Sequence, residues 1–485
     1  MSTTLHSKVR SGLLWSVVQS WGVKLAALLL FMVLARVLGP HQMGVFATAM
    51  AVLAFIALFV DQGLSEAIVQ RAQITVQQLN TAFLINLVMA LLLFALLWLI
   101  APLIAAYLKI AELSGILRVS SFGVLVSAAS FSQQAINRRN FNYRWLAVCT
   151  LVATLIAGVT AVFFALNGLG IWSLVIQALI TAVVTTLMLW SRPQWRFSFD
   201  FDFAGTRPLL GYGLNRLASN VLEFVNTRYI EIFLAAALGP VALGIYSVGV
   251  RVYQALMQAL SSAVLEVALN GFSRLAHDRT ALVRAYYKAI TLTAAIAVPV
   301  FCLLAAVAPE ATIVLFGSKW AGSAAVMQPM ALLGAVQVLQ FYNVTILNAI
   351  GKPSIGLKLM ILKAVVTLAT LWVVREQSLA VIVYAFVASQ LVTTLPGFYL
   401  LRRYVGVSLR SVANHVAPFL LGALLIIAGI EAARSFDGLM QLSPILRLLI
   451  LGLLGVSLYG ACLRMFVFPS FSQFISVLRA TSQRA

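Results

Sequence analysis

Apolar residues fill this chain in blocks of twenty or more, and short polar connectors separate the blocks. Phe83 to Tyr107 is typical, a continuous apolar stretch with no period-two alternation. As an α-helix rising about 1.5 Å per residue, such a block covers the roughly 30 Å of hydrocarbon in a bilayer. A barrel strand would instead alternate over about ten residues. The pattern predicts about fourteen spans: 13–36, 43–64, 82–107, 117–137, 144–166 and 169–190, then 209–237, 241–268, 286–308, 323–350, 353–374, 378–400, 412–432 and 445–467. The longest polar interruption, Ser191 to Pro208, stands between the sixth and the seventh and reads as a cytoplasmic linker and hinge. Three other polar connectors, Glu66 to Asn80, Lys109 to Leu117 and Asn270 to Val283, fit interfacial helices and simple loops equally well.

The pattern also repeats. Leu34-Ala35-x-x-Leu38-Gly39-Pro40-x-x-x-Gly44-Val45-Phe46 returns 200 residues later as Leu234-Ala235-x-x-Leu238-Gly239-Pro240-x-x-x-Gly244-Ile245-Tyr246, each copy lying between two apolar runs. Gly-Pro in each copy ends one helix and starts the next in a tight turn. Duplicated halves of this kind build transporters whose substrate site lies where the repeats meet. The expected architecture is an all-α integral membrane protein with about fourteen transmembrane helices. These form two pseudo-symmetric six-helix lobes, 1–190 and 209–400, joined by the 191–208 linker and followed by two further helices and a tail in 401–485, with a central cavity between the lobes.

Composition agrees with that reading and narrows the function. Of 485 residues, 62% are hydrophobic and 9% charged, which no water-soluble surface accommodates. The net charge of +20 is spread singly over short loops, so it orients the chain and gives no basis for nucleic-acid binding. With the N-terminus in the cytoplasm, most Lys and Arg fall on the inner side and few, such as Lys109, Arg118 and Arg375, on the outer. Both termini are then cytoplasmic. Lys8 and Arg10 precede an apolar stretch too long for a signal-peptide core, so it is expected to remain as the first span. Cys149, Cys302 and Cys462 lie inside apolar runs, and His6, His41, His277 and His415 have no metal-ligand spacing, so neither a metal nor a cofactor is implied. Asp200-Phe201-Asp202 has the form of a metal-nucleotide motif but lacks a domain to house a nucleotide. No Ser-His-Asp set, phosphate loop or HExxH appears, which argues against an enzyme.

Charges inside the spans carry the chemistry, because each costs about 2.5–3.5 kcal/mol at the bilayer centre and therefore needs water, a partner or a ligand. They concentrate in the first, second, seventh and eighth spans, which flank the repeat: Lys24; Asp61; Arg216, Glu223, Arg228 and Glu231; Arg251 and Glu266. Lys363 in the eleventh is the other deep charge. Ser16, Ser20 and Lys24 share one helix face, as do Arg216, Asn220, Glu223, Thr227 and Glu231. Lys24, Arg251 and Lys363 have no acid one turn away on their own span. Cations so placed suit a phosphate or diphosphate, met by Lys as a point charge and by Arg as a fork. Lys24, Arg216, Arg251 and Lys363, with Arg228 second in rank, are therefore the candidates to hold such a group, while Arg228 with Glu231, close to a helix end, also fits a pair that locks helices or snorkels. The acids Asp61, Glu223, Glu231 and Glu266 are candidates for charge balance or proton coupling. Gln337, Gln340, Asn343 and Asn348, with Gln133, Gln134 and Asn137, fit interhelical hydrogen bonds or sugar contacts.

The segment Asp61-Gln62-Gly63-Leu64-Ser65-Glu66-Ala67-Ile68-Val69-Gln70-Arg71, with Leu38-Gly39-Pro40-x-x-x-Gly44 before it, resembles the Wzx-type polysaccharide-repeat-unit flippases. So does Leu238-Gly239-Pro240-x-x-x-Gly244-Ile245-Tyr246-Ser247, followed by Arg274-Leu275-Ala276-x-Asp278. That family belongs to the multidrug/oligosaccharidyl-lipid/polysaccharide exporter superfamily. The resemblance implies a bilobed bundle with a cavity formed by the first, second, seventh and eighth helices. It also implies transfer of an undecaprenyl-diphosphate-linked oligosaccharide from the inner to the outer leaflet of the bacterial inner membrane by alternating access. Membrane lipids, a polysaccharide polymerase and a chain-length regulator are the implied partners. A cation-coupled drug or metabolite antiporter of the same superfamily is the alternative, and it would depend on the acids and tolerate loss of the cations.

Overall fold

A computed structural model describes residues 22–466 apart from Gln62, Ala72 and Ala276. All regular structure among the described residues is helical. Eleven of those helices are long and apolar enough to cross a bilayer. The expected first, seventh and eighth spans are not among the eleven, for identifiable reasons. The first is described only over its second part, α1 (22–37). The seventh, α8 (Phe203–Ala237), carries Glu223, Arg228 and Glu231 within nine residues. The eighth is broken at Val250 into α9 (Gly239–Gly249) and α10 (Arg251–Arg274). Of these, α8 is the one that gives up apolarity for charge.

The chain divides into two compact units, 1–247 and 248–485. In the first, α1 is followed by α2 (Pro40–Asp61), the short α3 (Leu64–Gln70), α4 (Val76–Tyr107), α5 (Leu113–Arg139), α6 (Tyr143–Leu166), α7 (Trp172–Ser191) and α8. Of the three polar connectors, only Glu66–Asn80 contains a helix of its own, α3. At 109–112 the chain turns directly into the next span, and between 274 and 279 no helix intervenes among the described residues. One core cluster joins Val45, Ala49 and Leu53 of α2 to Leu97 and Ala101 of α4, Leu113 and Ile116 of α5 and Val175 of α7. Alanines at the contacts let helix backbones approach closely, the route to packing where lipid removes the hydrophobic drive.

The 191–208 linker is strapped to the ends of α4 and α5. Buried Asn80 donates to Ser198 Oγ and to the Asp200 carbonyl, both at 2.8 Å, and accepts from Trp195 Nε1 at 3.0 Å. Gln133 donates to the Trp195 carbonyl at 2.7 Å, and Trp195 itself packs among Ile68, Leu79, Ala135 and Ile136. The last part of the linker is already helix, because Asp202 caps α8 by accepting from the Gly205 N–H at 2.7 Å.

In the second unit α10 is followed by α11 (Arg279–Ala306), α12 (Ala308–Phe316), α13 (Ala324–Gln337), α14 (Phe341–Ala349), α15 (Pro353–Val373), α16 (Leu379–Val392) and α17 (Thr394–Val405). Then come α18 (Leu409–Arg434), the single turn α19 (Asp437–Met440) and α20 (Pro444–Phe466). Buried polar pairs tie these helices together. Tyr253 donates to Gln337 at 2.5 Å, Tyr286 to Asn343 at 3.0 Å, and Gln340 to Thr394 at 2.7 Å. Each joins two different helices, the use that polar side chains find in a medium without water.

Candidate functional site

A cavity of about 360 Å³ opens inside the first unit between α1, α5, α6 and α7. Its polar lining is Lys24 from α1, Gln134 and Arg138 from α5, Tyr143 and Thr150 from α6 and Thr185 from α7. Among the described residues no carboxylate lines it. Gln134 and Arg138 are four residues apart and so share one face of α5, with Arg138 in the last helical turn. Tyr143 opens α6 directly after the turn, which brings its ring back to the same end. The Thr150 hydroxyl donates to the Leu146 carbonyl at 2.8 Å, leaving its oxygen to accept only. Among the described residues the Arg138 guanidinium has no hydrogen-bond or ion-pair partner, and the residue is exposed at the rim.

Such a lining recognises an anion. The Arg138 guanidinium, which has no partner among the described residues, shares a partly dehydrated space with the Lys24 side chain, and a cation so placed favours a negative group. Volumes of 300 Å³ and upward are typical of small-ligand sites. At about 360 Å³ the cavity has room for a small polar group and not for an oligosaccharide.

The remaining expected residues distribute as follows. Arg228 pairs with Glu231, its Nη1 standing 3.0 and 3.1 Å from the two carboxylate oxygens, toward the C-terminal end of α8. Asp61 accepts from the backbone and hydroxyl of Ser65 at 3.1 and 2.5 Å, joining α2 to α3. Glu223 is exposed and Asn220 half-buried on α8. Arg251 and Lys363 are half-buried in the second unit, Arg251 just after the break at Val250. Gln337, Gln340 and Asn343 make the interhelical bonds already described. The side chains of Arg216 and Glu266, like Ser16 and Ser20, lie outside the described residues. Asp200 accepts from Gln77 at 3.0 Å and Asp202 caps α8, so both carboxylates of the Asp-x-Asp string serve the linker. Arg138, Tyr143, Thr150 and Thr185 are not among the residues that the sequence singles out. The i, i+4 spacing of Gln134 and Arg138 was the available signal.

Comparison with known proteins adds a lineage. The succinoglycan biosynthesis transport protein ExoT of Rhizobium meliloti (strain 1021) is 27% identical over 368 residues, covering 76% of this chain and 74% of that protein. The lipopolysaccharide biosynthesis protein WzxC of Escherichia coli (strain K12) is 22% identical over 405 residues, 82% of each chain. Among solved structures, the lipid II flippase MurJ in an inward closed conformation superposes with a TM-score of 0.73 at 12% identity, over 95% of this chain and 100% of that one, and so shares the fold. These relatives agree with the Wzx-type resemblance. The family described as "Polysaccharide biosynthesis protein" matches residues 33–325, more than half of the sequence, and the chain belongs to that family.

Proposed function

We propose that the protein is a flippase that moves an undecaprenyl-diphosphate-linked oligosaccharide from the inner to the outer leaflet of the bacterial inner membrane, for polysaccharide export, by alternating access. The observation that carries the reading is the Arg138 guanidinium, without a partner among the described residues, at the rim of a cavity that Lys24 also lines. Arg138 at the rim meets the phosphorylated headgroup first, and Lys24, one element away in α1, takes it as a point charge; Gln134, Tyr143 and Thr150 supply neutral contacts. The polyprenyl chain stays in lipid, so only the polar part needs the protein. Arg216, Arg228, Arg251 and Lys363 are further cations for the path, with Asp61, Glu223, Glu231 and Glu266 for charge balance or coupling and Asn220, Gln337, Gln340 and Asn343 for sugar or helix contacts. Positive residues in the inner loops favour cytoplasmic termini, and the lobe boundaries at 1–190, 209–400 and 401–485 complete the proposed layout. A polysaccharide polymerase and a chain-length regulator are the proposed protein partners.

The test is export in a strain lacking the protein and carrying plasmid copies. Lys24→Gln with Arg138→Gln is expected to cut surface polymer by about a hundredfold, the loss of two charge-assisted contacts, while the protein remains in the membrane. Wild-type polymer from the double variant would overturn the placement. Loss on neutralising Glu223 or Asp61, with the cations dispensable, would favour a cation antiporter instead.

A further inference from the structure

The two copies of the Leu-Gly-Pro-x-x-x-Gly string touch each other inside the first unit. A methyl group added at Gly44 would overlap the Pro240 carbonyl oxygen and stand 2.9 Å from the Gly244 nitrogen. Reciprocally, a methyl at Gly244 would overlap the Pro40 carbonyl oxygen and stand 3.1 Å from the Gly44 nitrogen. Contact of i with j and of j with i is the signature of a local two-fold. Burial obeys the same symmetry: Leu34 and Ala35 are 1% and 0% exposed, Leu234 and Ala235 are 0% and 1%, while His41 and Val241 both face outward. The glycine carbonyls are engaged within their own copies, Gly44 O by Thr48 Oγ1 and Gly244 O by Ser247 Oγ, each at 2.9 Å. At the glycines, then, backbone meets backbone by van der Waals contact. α2 and α9 also begin here, and the like N-terminal ends of two helices repel. A contact that close, with electrostatics against it and no side chain between, is complementary when shut and opens with little to break.

We infer that the Gly44–Gly244 contact is a separable latch between the two repeat copies, closed in this state and opened during each transport cycle at the outer ends of α2 and α9. The inference rests on the transporter reading, which supplies the cycle and the outward orientation. It assigns a role to the glycine in each string that the turn itself does not require. A methyl at Gly39, in the same turn, would meet nothing within 4 Å.

Spin labels on His41→Cys and Val241→Cys, in a background with the three native cysteines replaced by alanine, report the separation of the copies in lipid vesicles. The parent is expected to give a short and a longer distance differing by at least about 5 Å, one helical turn. Gly44→Ala and Gly244→Ala each shift the ratio toward the longer by roughly tenfold, the two together do little more because they relieve one contact, and Gly39→Ala leaves it unchanged. One distance in the parent, or a ratio indifferent to Gly44→Ala, overturns the latch; if the alanine variants fail to reach the membrane, the parent distribution decides alone. The labels read geometry without export. A fixed distance therefore removes the latch and leaves the headgroup reading intact, whereas a moving distance with wild-type export from the Lys24 and Arg138 double variant does the reverse.

Discussion

Arg138 and Arg434 occupy equivalent local positions, each in the last turn of a membrane helix, where a cation complements the helix dipole. Their surroundings differ. Arg434 donates to Glu310 at 2.6 Å, to Glu431 at 2.6 Å and to the Ala306 carbonyl at 2.7 Å, and Glu310 is 4% exposed. Arg138 has none of this and lines a cavity with a second cation. One guanidinium is satisfied by the protein and fastens α18 to α12. The other has no partner among the described residues and stands at a cavity rim. In a chain with only 13 acids against 33 basic residues, a carboxylate placed beside a cation is a choice of structure over ligand.

The largest expected effect on stability comes from the satisfied side. Glu310→Ala strands Arg434 at a buried position and is expected to lower unfolding stability by about 3 kcal/mol, read as the thermal midpoint of the detergent-solubilised protein. Replacing both partners by Met should recover most of the loss, because two neutral side chains leave no buried charge behind. A midpoint unchanged by Glu310→Ala would erase the distinction between the two arginines.

A smaller loss, about 1 kcal/mol, is expected for Asp202→Ala, which removes the cap of α8. It also sharpens the comparison, since it shows what an acid in the linker does when it is structural. Limited proteolysis of the 191–208 segment is the second readout, and faster cleavage is the expected result. Smallest of all is the effect of Arg138→Gln on stability, within about 0.5 kcal/mol, because its guanidinium has no partner among the described residues. A large destabilisation would mark it as structural.

The apolar spans and the doubled hairpin were legible in the sequence because length and repetition are written into consecutive residues. The strap was not, since Asn80 and Ser198 meet across 118 positions of chain and neither advertises the other. α8 starts earlier than its apolarity announced because Asp202, a residue counted as loop, supplies its cap. For the site, Lys24 stood out by cost alone. Arg138 did not, because a cation at a helix end costs little by itself, and only the fold brings it to the cavity of Lys24. Arg228 and Glu231 were readable as a pair from their spacing, and they do pair, whereas the partners of Gln337, Gln340 and Asn343 required the tertiary structure.

Titration of the purified protein with a short-chain polyprenyl diphosphate, followed by tryptophan quenching, asks directly whether the acid-free cavity holds a phosphorylated headgroup. The wild type is expected to bind in a salt-sensitive manner, and the Lys24→Gln, Arg138→Gln double variant about a hundredfold more weakly, with Glu310→Ala keeping its affinity wherever it stays folded. Equal affinity in the wild type and the double variant would contradict the account.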